Sequence, residues 1–329
     1  MIDRSDLKKL KGARRVPLPD FIPPQLATLV KEAPSGDEWL HELKFDGYRM
    51  QCRIDHGKVR FWSRNQIDWS AKFPGIAKAI RSIAATTAIL DGEVVVMDSR
   101  GHTSFQKLQK TMGTGGDSGF IFEIFDLMYL DGFNLMKSPL SERKRLLKEL
   151  LDSAEKSGPL RYSDHVEGSG AEVFKLACKK GIEGIVSKLA TSSYDSARNR
   201  NWLKVKCSKQ QEFVIAGYTP SEKGVPGIGA LILGVYEKGE LVYSGRVGTG
   251  FTLKKRVELK KQLDKSAQDK CPFAVKPKAT GRGDARWVSP KLVAEVTFTE
   301  WTADGAIRHP SFQGLREDKE PGEVRREQP

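Results

Sequence analysis

Apolar residues recur along this chain in two rhythms. Between about Glu38 and Lys209, short runs rich in β-branched and aromatic residues predict strands at Trp39–Leu43, Val59–Trp62, Ala88–Val96, Phe120–Asp126, Gly184–Lys188 and Trp202–Lys206. Longer stretches with apolar residues at helical spacing predict helices over Phe73–Ala85, Ser141–Ser157 and Ala171–Lys180. In the second helix Leu146, Leu147, Leu150 and Leu151 form one stripe, and Ser141 stands where an N-cap is expected. Ahead of this region, prolines at 17, 19, 23, 24 and 34 argue against long regular structure in residues 1–35.

After Lys209 the texture changes. Strands are predicted at Glu212–Thr219, Ala230–Tyr236, Leu241–Val247 and Val293–Trp301, with turns at Glu237-Lys238-Gly239 and Ala303-Asp304-Gly305. One helix, near Leu253–Leu263, interrupts them. Several short strands with a single helix suit a small β-barrel of the OB type. The expected fold class is therefore α+β, with a boundary near 208–212: a first domain over 1–210, a second over 211–316, and a charged tail or linker over 317–329.

A length of 329 residues agrees with two domains, and a hydrophobic fraction of 39% supports a real core. No run of 18 apolar residues is present, and the polar, basic Met1–Arg15 lacks the apolar centre of a secretory signal. The four cysteines, at 52, 178, 207 and 271, form no C-x-x-C pair and are too sparse for a disulfide scaffold, which points to a reducing compartment. The net charge of +13 points to an anionic polymer as partner. Residues 251–291 carry twelve Lys or Arg against four Asp or Glu, and Lys8, Lys9, Lys11, Arg14 and Arg15 add a basic group at the N-terminus. Both groups suit nucleic-acid phosphates.

The run Glu42-Leu43-Lys44-Phe45-Asp46-Gly47-Tyr48-Arg49 carries the most chemistry. A lysine between hydrophobic neighbours can be desolvated, which lowers its pKa and frees its lone pair for attack. Arg49 can face the same phosphate-bearing ligand. The plainer alternative is a strand and an Asp46-Gly47 turn with charges in solvent. In the Trp202–Lys206 strand, Lys204 and Lys206 project to one face and so expect an anion there; the alternative is an edge strand whose lysines discourage aggregation. Glu93, Asp126 and Glu183 are candidates to hold Mg²⁺, which prefers carboxylate oxygens and retained waters. Phe125 is a candidate to stack on a purine, or else a core residue.

Lys44 to Arg49 fits the K-x-D-G-x-R pattern of covalent nucleotidyltransferases. Behind it, in order, come Ser63-Arg64-Asn65, Leu90-Asp91-Gly92-Glu93, Phe122-Glu123-Ile124-Phe125-Asp126, Glu183-Gly184-Ile185-Val186-Ser187-Lys188, Trp202-Leu203-Lys204-Val205-Lys206 and Gly314-Leu315-Arg316-Glu317-Asp318-Lys319. This order resembles the motifs of ATP-dependent DNA ligases. Phe125-Asp126-Leu127-Met128-Tyr129-Leu130-Asp131-Gly132 and Gly245-Arg246-Val247-Gly248-Thr249-Gly250-Phe251 are similar to the ligase module of the bacterial end-joining ligase D family, partners of the Ku protein. The likeness covers roughly residues 20–320.

The resemblance implies a nucleotidyltransferase (adenylation) domain with mixed and antiparallel sheets, followed by an OB-fold domain. It implies that Lys44 takes AMP from ATP. Glu42, Leu43, Val186 and Lys188 would line the nucleotide site, and Phe125 would stack on the adenine. Arg49 and Glu93 would hold the ribose, while Lys204 and Lys206 grip the α-phosphate. Glu183, with Asp46 and Glu93, would favour Mg²⁺ or Mn²⁺, and Arg64 would meet the 5′-phosphate of nicked or broken duplex DNA. Arg316 and Lys319 would orient departing pyrophosphate, with a hinge near Ser208–Gln211. Lys204, Lys206, Arg49 and the metal would push the Lys44 pKa down. A bacterial, cytoplasmic, nucleoid-associated monomer is implied, working with Ku and with nuclease and polymerase modules. Gln66 departs from the family's usual glycine after the Ser-Arg-Asn trio. An RNA ligase, a capping-type nucleotidyltransferase and a non-catalytic nucleic-acid-binding OB module stay open as alternatives.

Overall fold

The structure, a computed structural model, describes residues 4–114, 119–152, 154, 158–221, 225–277 and 285–327. The chain divides into two compact units between Cys207 and Ser208.

Alternation of apolar and polar residues builds two sheets in the first unit. The larger is centred on Tyr48–Asp55, Thr87–Val96 and Phe120–Leu130, paired antiparallel, with Lys58–Ser63 at one edge. Tyr48, Met50, Cys52 and Ile54 alternate into the core, where they pack with Phe61, Phe73, Phe122 and Leu147. The second sheet has the order His165–Ser169, Ser35–Leu43, Gly184–Leu189, Arg198–Lys206 and Leu26–Leu29. Ile22, Phe125, Met128, Tyr129, Tyr194 and Trp202, drawn from both sheets and the segments beside them, form a separate buried cluster.

Several expectations change. The lead-in contains a helix at Arg4–Lys9 and the Leu26–Leu29 strand, and Leu7 and Ile22 are buried. The helix expected over 73–85 spans only Pro74–Ile80; Ile83 still reaches the core from the turn that follows. Leu140–Asp152 forms the helix expected from Ser141, so Ser141 lies in its first turn, and its N–H donates to the Ala190 carbonyl at 2.9 Å. The expected extension reaches into 153 and 155–157, outside the described residues. The Tyr48–Asp55 strand and the Phe105–Gly113 helix were not expected. Cys178 and Cys207 form a disulfide.

Helix Leu140–Asp152 buries a charge pair as well as leucines. Arg143, fully buried, donates to both carboxylate oxygens of buried Asp126, at 2.7 and 2.9 Å. Its remaining N–H groups reach the carbonyls of Ser138 and Ser192. Burial raises the Asp126 pKa, but the Arg143 charge and its hydrogen bonds outweigh this and hold the carboxyl below its usual range. Asp126 is thereby committed to Arg143 and is withdrawn from the metal candidates.

Among its described residues the second unit is built on a six-stranded antiparallel sheet, whose shortest strand, Ala267–Gln268, pairs with Arg286–Phe298. Glu240–Val247, Ile228–Glu237, Lys209–Pro220 and Arg286–Phe298 pair in that order, and Ser311–Leu315 joins the last. Helix Leu253–Asp264 is capped by Thr252 and lays Leu259 and Leu263 on the core. This is the OB-type arrangement the pattern predicts. Residues 317–327, expected as a tail or linker, pack on this unit: Val324 is buried in its core and accepts from the Tyr236 N–H.

Asp126 and Arg143 generate a stability prediction. Arg143→Met strands a buried carboxylate and should cost about 3–5 kcal/mol. Urea unfolding checks it; a loss below about 1 kcal/mol would mean the pair is not the anchor described.

Candidate active site

Two antiparallel registers put five of the candidate residues on one face of the second sheet. Gly184, Val186 and Lys188 oppose Lys206, Lys204 and Trp202 on one side, and Val186 opposes Glu42 on the other. Directly opposed residues share a face, so Glu42, Val186, Lys188, Lys204, Lys206 and Trp202 stand together. Lys44 follows the last residue of the Ser35–Leu43 strand, and its N–H still donates to the Gly184 carbonyl at 2.9 Å. Gly47 turns the chain into the other sheet, where a Cβ would lie 2.3 Å from the Val94 carbonyl oxygen. Only glycine permits so close an approach.

Lys44 Nζ lies 2.6 Å from Glu183 Oε1. Burial lowers the Lys44 pKa, and Lys206 adds to this. The charge and hydrogen bond of Glu183, helped by Asp46, outweigh both, and the net shift is upward. Set by the protein's own groups, this direction is opposite to the one expected from Lys204, Lys206, Arg49 and a bound metal together, because Glu183 is a direct partner of Lys44. Glu183 Oε2 is buried and has no hydrogen-bond partner among the described residues. A buried carboxylate oxygen without a partner calls for a cation or a donor. Among the described residues no three His, Cys, Asp or Glu side chains form a ready-made metal cage. A donor set this small fits Mg²⁺, which keeps waters and completes its shell with substrate phosphates.

Glu42 is buried and fully engaged. It lies 2.7 Å from Lys144 Nζ, 2.8 Å from Lys188 Nζ and 3.0 Å from Ser163 Oγ. Burial raises its pKa, but the two lysines bring it below its usual value. The Glu42 carboxylate is thus a structural anion, and Lys144, from the Leu140–Asp152 helix, is a partner that the sequence reading missed. Lys188 lies over the Phe125 and Trp202 rings, at 4.2 and 4.3 Å, and burial lowers its pKa.

The larger sheet contributes Arg49, Glu93 and Phe125. Arg49 and Glu93 are direct cross-strand partners. Arg49 donates to both oxygens of Asp91, at 3.0 and 2.6 Å, and to the Gln25 carbonyl. The Tyr194 hydroxyl donates to Asp91 Oδ2 at 2.7 Å. The guanidinium lies 5.4 Å from the Phe125 ring and 5.5 Å from that of Trp202, so it spans the two sheets. Tyr194 and Gln25 were missed, and Asp91 was named only within the Leu90-Asp91-Gly92-Glu93 segment, because no motif marks a residue whose work is to hold an arginine. A register shift between Asp91 and Gly92 leaves Phe125 unpaired on its strand, the kind of bulge that re-aims a side chain. It directs Phe125 edge-on to Trp202 at 6.0 Å. Beyond Glu93 the row continues to Glu123, whose pKa burial pushes up to about 7 against the opposing pull of Arg161.

Arg64 sits on the turn that follows the Lys58–Ser63 strand. Gln66 there has φ 58°, the left-handed backbone that glycine adopts without strain. Its N–H donates to the Ser63 carbonyl, so the turn keeps its form despite the departure.

Arg316 and Lys319 belong to the second unit. Arg316 donates to both oxygens of Asp318, at 2.9 and 2.8 Å, and reaches Glu295 at 3.4 Å. Lys319 pairs with Glu212 at 3.0 Å. Glu212 and Glu295 are direct cross-strand partners, so the two cations sit over an acidic pair.

Comparison with known proteins identifies the family. The family model described as "ATP dependent DNA ligase domain" matches residues 24–206, and "ATP dependent DNA ligase C terminal region" matches residues 225–319. The multifunctional non-homologous end joining protein LigD of Pseudomonas aeruginosa is 39% identical over 322 residues, covering 97% of this chain and 38% of that protein. The corresponding DNA repair protein LigD of Mycobacterium tuberculosis H37Rv is 38% identical over 311 residues, covering 94% of this chain and 40% of that one. The structure of a mycobacterial DNA ligase D complexed with ATP and MES superposes with a TM-score of 0.69 at 36% identity, covering 93% of this chain and 98% of that one. The chain belongs to the ATP-dependent DNA ligase family. It spans about two fifths of the length of these LigD proteins.

The Lys44–Glu183 pair yields a signed prediction. In Glu183→Gln, burial and Lys206 remain and the main opposing charge is gone, so the Lys44 pKa falls. At mildly alkaline pH, Lys44 should then react at least about threefold faster with an amine-selective acylating reagent, because each unit of pKa is about tenfold in free amine. Peptide mass spectrometry reads the modified fraction; unchanged or slower labelling contradicts the assignment.

Proposed function

We propose that this chain seals nicks and breaks in duplex DNA through a lysyl-adenylate, and that it serves double-strand break repair by end joining. The observation that carries the reading is the placement of Lys44 against Glu183, on the sheet face that also presents Lys204 and Lys206.

In the first step Lys44 Nζ, having given up its proton, attacks the α-phosphorus of ATP, and the bond to pyrophosphate breaks. Lys204 and Lys206 neutralise the charge that develops on the phosphoryl oxygens. Arg49, braced by Asp91, and Glu93 orient the ribose, and Phe125 meets the base. Leu43, Val186 and Lys188 complete the nucleotide surroundings, with Glu42 holding Lys188 in place. Glu183, with Asp46 and Glu93 in support, would hold Mg²⁺ or Mn²⁺, which neutralises phosphate charge when bound. Arg316 and Lys319 orient the pyrophosphate, which requires them to leave Glu212 and Glu295.

In the second step AMP passes from Lys44 to the 5′-phosphate of the nick, which Arg64 receives. In the third the 3′-hydroxyl attacks that phosphorus and AMP departs. The unit boundary at Cys207 and Ser208 supports a hinge over Ser208–Gln211 that exchanges the two surfaces between steps. The net charge of +13 supports nick binding that weakens as salt rises. Ku and nuclease or polymerase modules are proposed as partners, with the ligase acting as a cytoplasmic, nucleoid-associated monomer. Among the described residues no helix is long and apolar enough to cross a membrane.

Intact mass after incubation with ATP and Mg²⁺ tests the reading. The protein should gain one adenylyl group with ATP but not GTP, and Lys44→Ala should gain none. Arg316→Ala should lose adenylation by at least about 100-fold, yet seal a nick that already carries 5′-AMP. A Lys44→Ala protein that still takes up AMP covalently sinks the assignment of the nucleophile.

A further inference from the structure

The Cys178–Cys207 bond closes a loop over the hairpin that carries Glu183, Lys188, Lys204 and Lys206. Cys178 lies in the last turn of the Gly170–Lys179 helix, which packs Val173, Phe174 and Ala177 against Ile185 and Val205 of that hairpin. Cys207 directly follows the Arg198–Lys206 strand and is the last residue before the second unit. Its N–H donates to the Glu183 carbonyl at 2.9 Å, and the Gly181 N–H donates to the Cys178 carbonyl at 3.0 Å. The two cysteines therefore clamp the short segment that delivers Glu183 to Lys44. Both are half-buried, so a small thiol can reach the bond. Lys179, Lys180, Lys206 and Lys209 lie within two residues of one or the other cysteine in sequence, a local basic bias that favours an anionic thiol such as glutathione.

We propose that Cys178 and Cys207 form a reversible redox-modification site that sets the activity of the adenylation centre through the position of Glu183 and Lys206. In the reducing direction a low-molecular-weight thiol attacks one sulfur, the Cys178–Cys207 bond breaks, and a mixed disulfide forms. A second thiol then releases it, so that two thiols become one small disulfide and the protein gains two electrons and two protons as two cysteine thiols. Oxidation by glutathione disulfide runs the same exchange in reverse. With the bond intact the base of the hairpin is fixed. With it open, that covalent tie between the Gly170–Lys179 helix and the end of the Arg198–Lys206 strand is gone, and the Glu183 segment rests on noncovalent contacts. The effect on the reaction rests on the proposed function; the existence of the bond does not.

The test uses the full chain after glutathione disulfide or after dithiothreitol, each then removed. Alkylation in denaturant should label two cysteines in the oxidised form, Cys52 and Cys271, and all four in the reduced form. Adenylation of Lys44 should be at least about threefold slower in the reduced form and recover on re-oxidation, because a misplaced positioning group lowers the rate without abolishing it. Cys178→Ser and Cys207→Ser should match the reduced rate whatever the treatment. Four labelled cysteines after oxidation overturn the site itself. A protected pair with a shifted thermal midpoint but equal adenylation rates overturns the control and leaves a structural crosslink. Two protected cysteines with no adenylation in either form refute the proposed function, and with it the control, while the crosslink stands.

Discussion

One ion pair organises the first unit: Lys44 against Glu183 at 2.6 Å. It sits where the Ser35–Leu43 strand ends and the Gly184–Leu189 strand begins, and the Lys44 N–H to Gly184 carbonyl bond fixes that junction. An amine that is to act as a nucleophile, the role proposed for Lys44, cannot do so as an ammonium. The protein nevertheless places it beside a buried carboxylate that favours the charged form. The pair is a resting arrangement. Under the proposed function, a cation arriving at Glu183 would weaken the pull that keeps the proton on Lys44. Glu183 Oε2, which has no hydrogen-bond partner among the described residues, is the point at which such a cation would act.

Around that pair, buried charges are paired so that the motif residues keep fixed directions. Asp91, Tyr194 and the Gln25 carbonyl aim Arg49; Lys144, Lys188 and Ser163 hold Glu42; Arg143 takes Asp126. Removing one partner from such a network leaves a buried group unpaired, which costs more than the pair itself contributes. The second unit repeats the device with Arg316 and Lys319 over Glu212, Glu295 and Asp318. The cations of these motifs are thus neutralised within the protein.

Much of this was legible in the sequence. Trp202–Lys206 could be read as a strand because β-branched and aromatic residues alternate with Lys204 and Lys206, and the register confirms that both lysines share a face. The same reasoning overlooked Tyr48–Asp55, whose polar half, Arg49, Gln51, Arg53 and Asp55, masked an alternation of Tyr48, Met50, Cys52 and Ile54. The site's motif residues lay open to inspection, but the residues that hold them did not. Lys144 resembles a solvent-facing helix lysine, and only the fold brings it to Glu42, 102 positions away. The upward pKa shift of Lys44 escaped notice because a sequence records which charges are present but not which stands nearest. Asp126 looked like a metal ligand for the same reason: Arg143 is its partner through space.

The direct measurement is the pKa of Lys44 itself, read by NMR from a carbon-labelled side chain, with and without Mg²⁺ and a non-hydrolysable ATP analogue. The account predicts a value above the ordinary lysine value in the free protein and a lower one when both ligands are present. A free-protein value below the ordinary one, or a value that ligands leave unchanged, would contradict the claim that Glu183 holds Lys44 in its resting, protonated state.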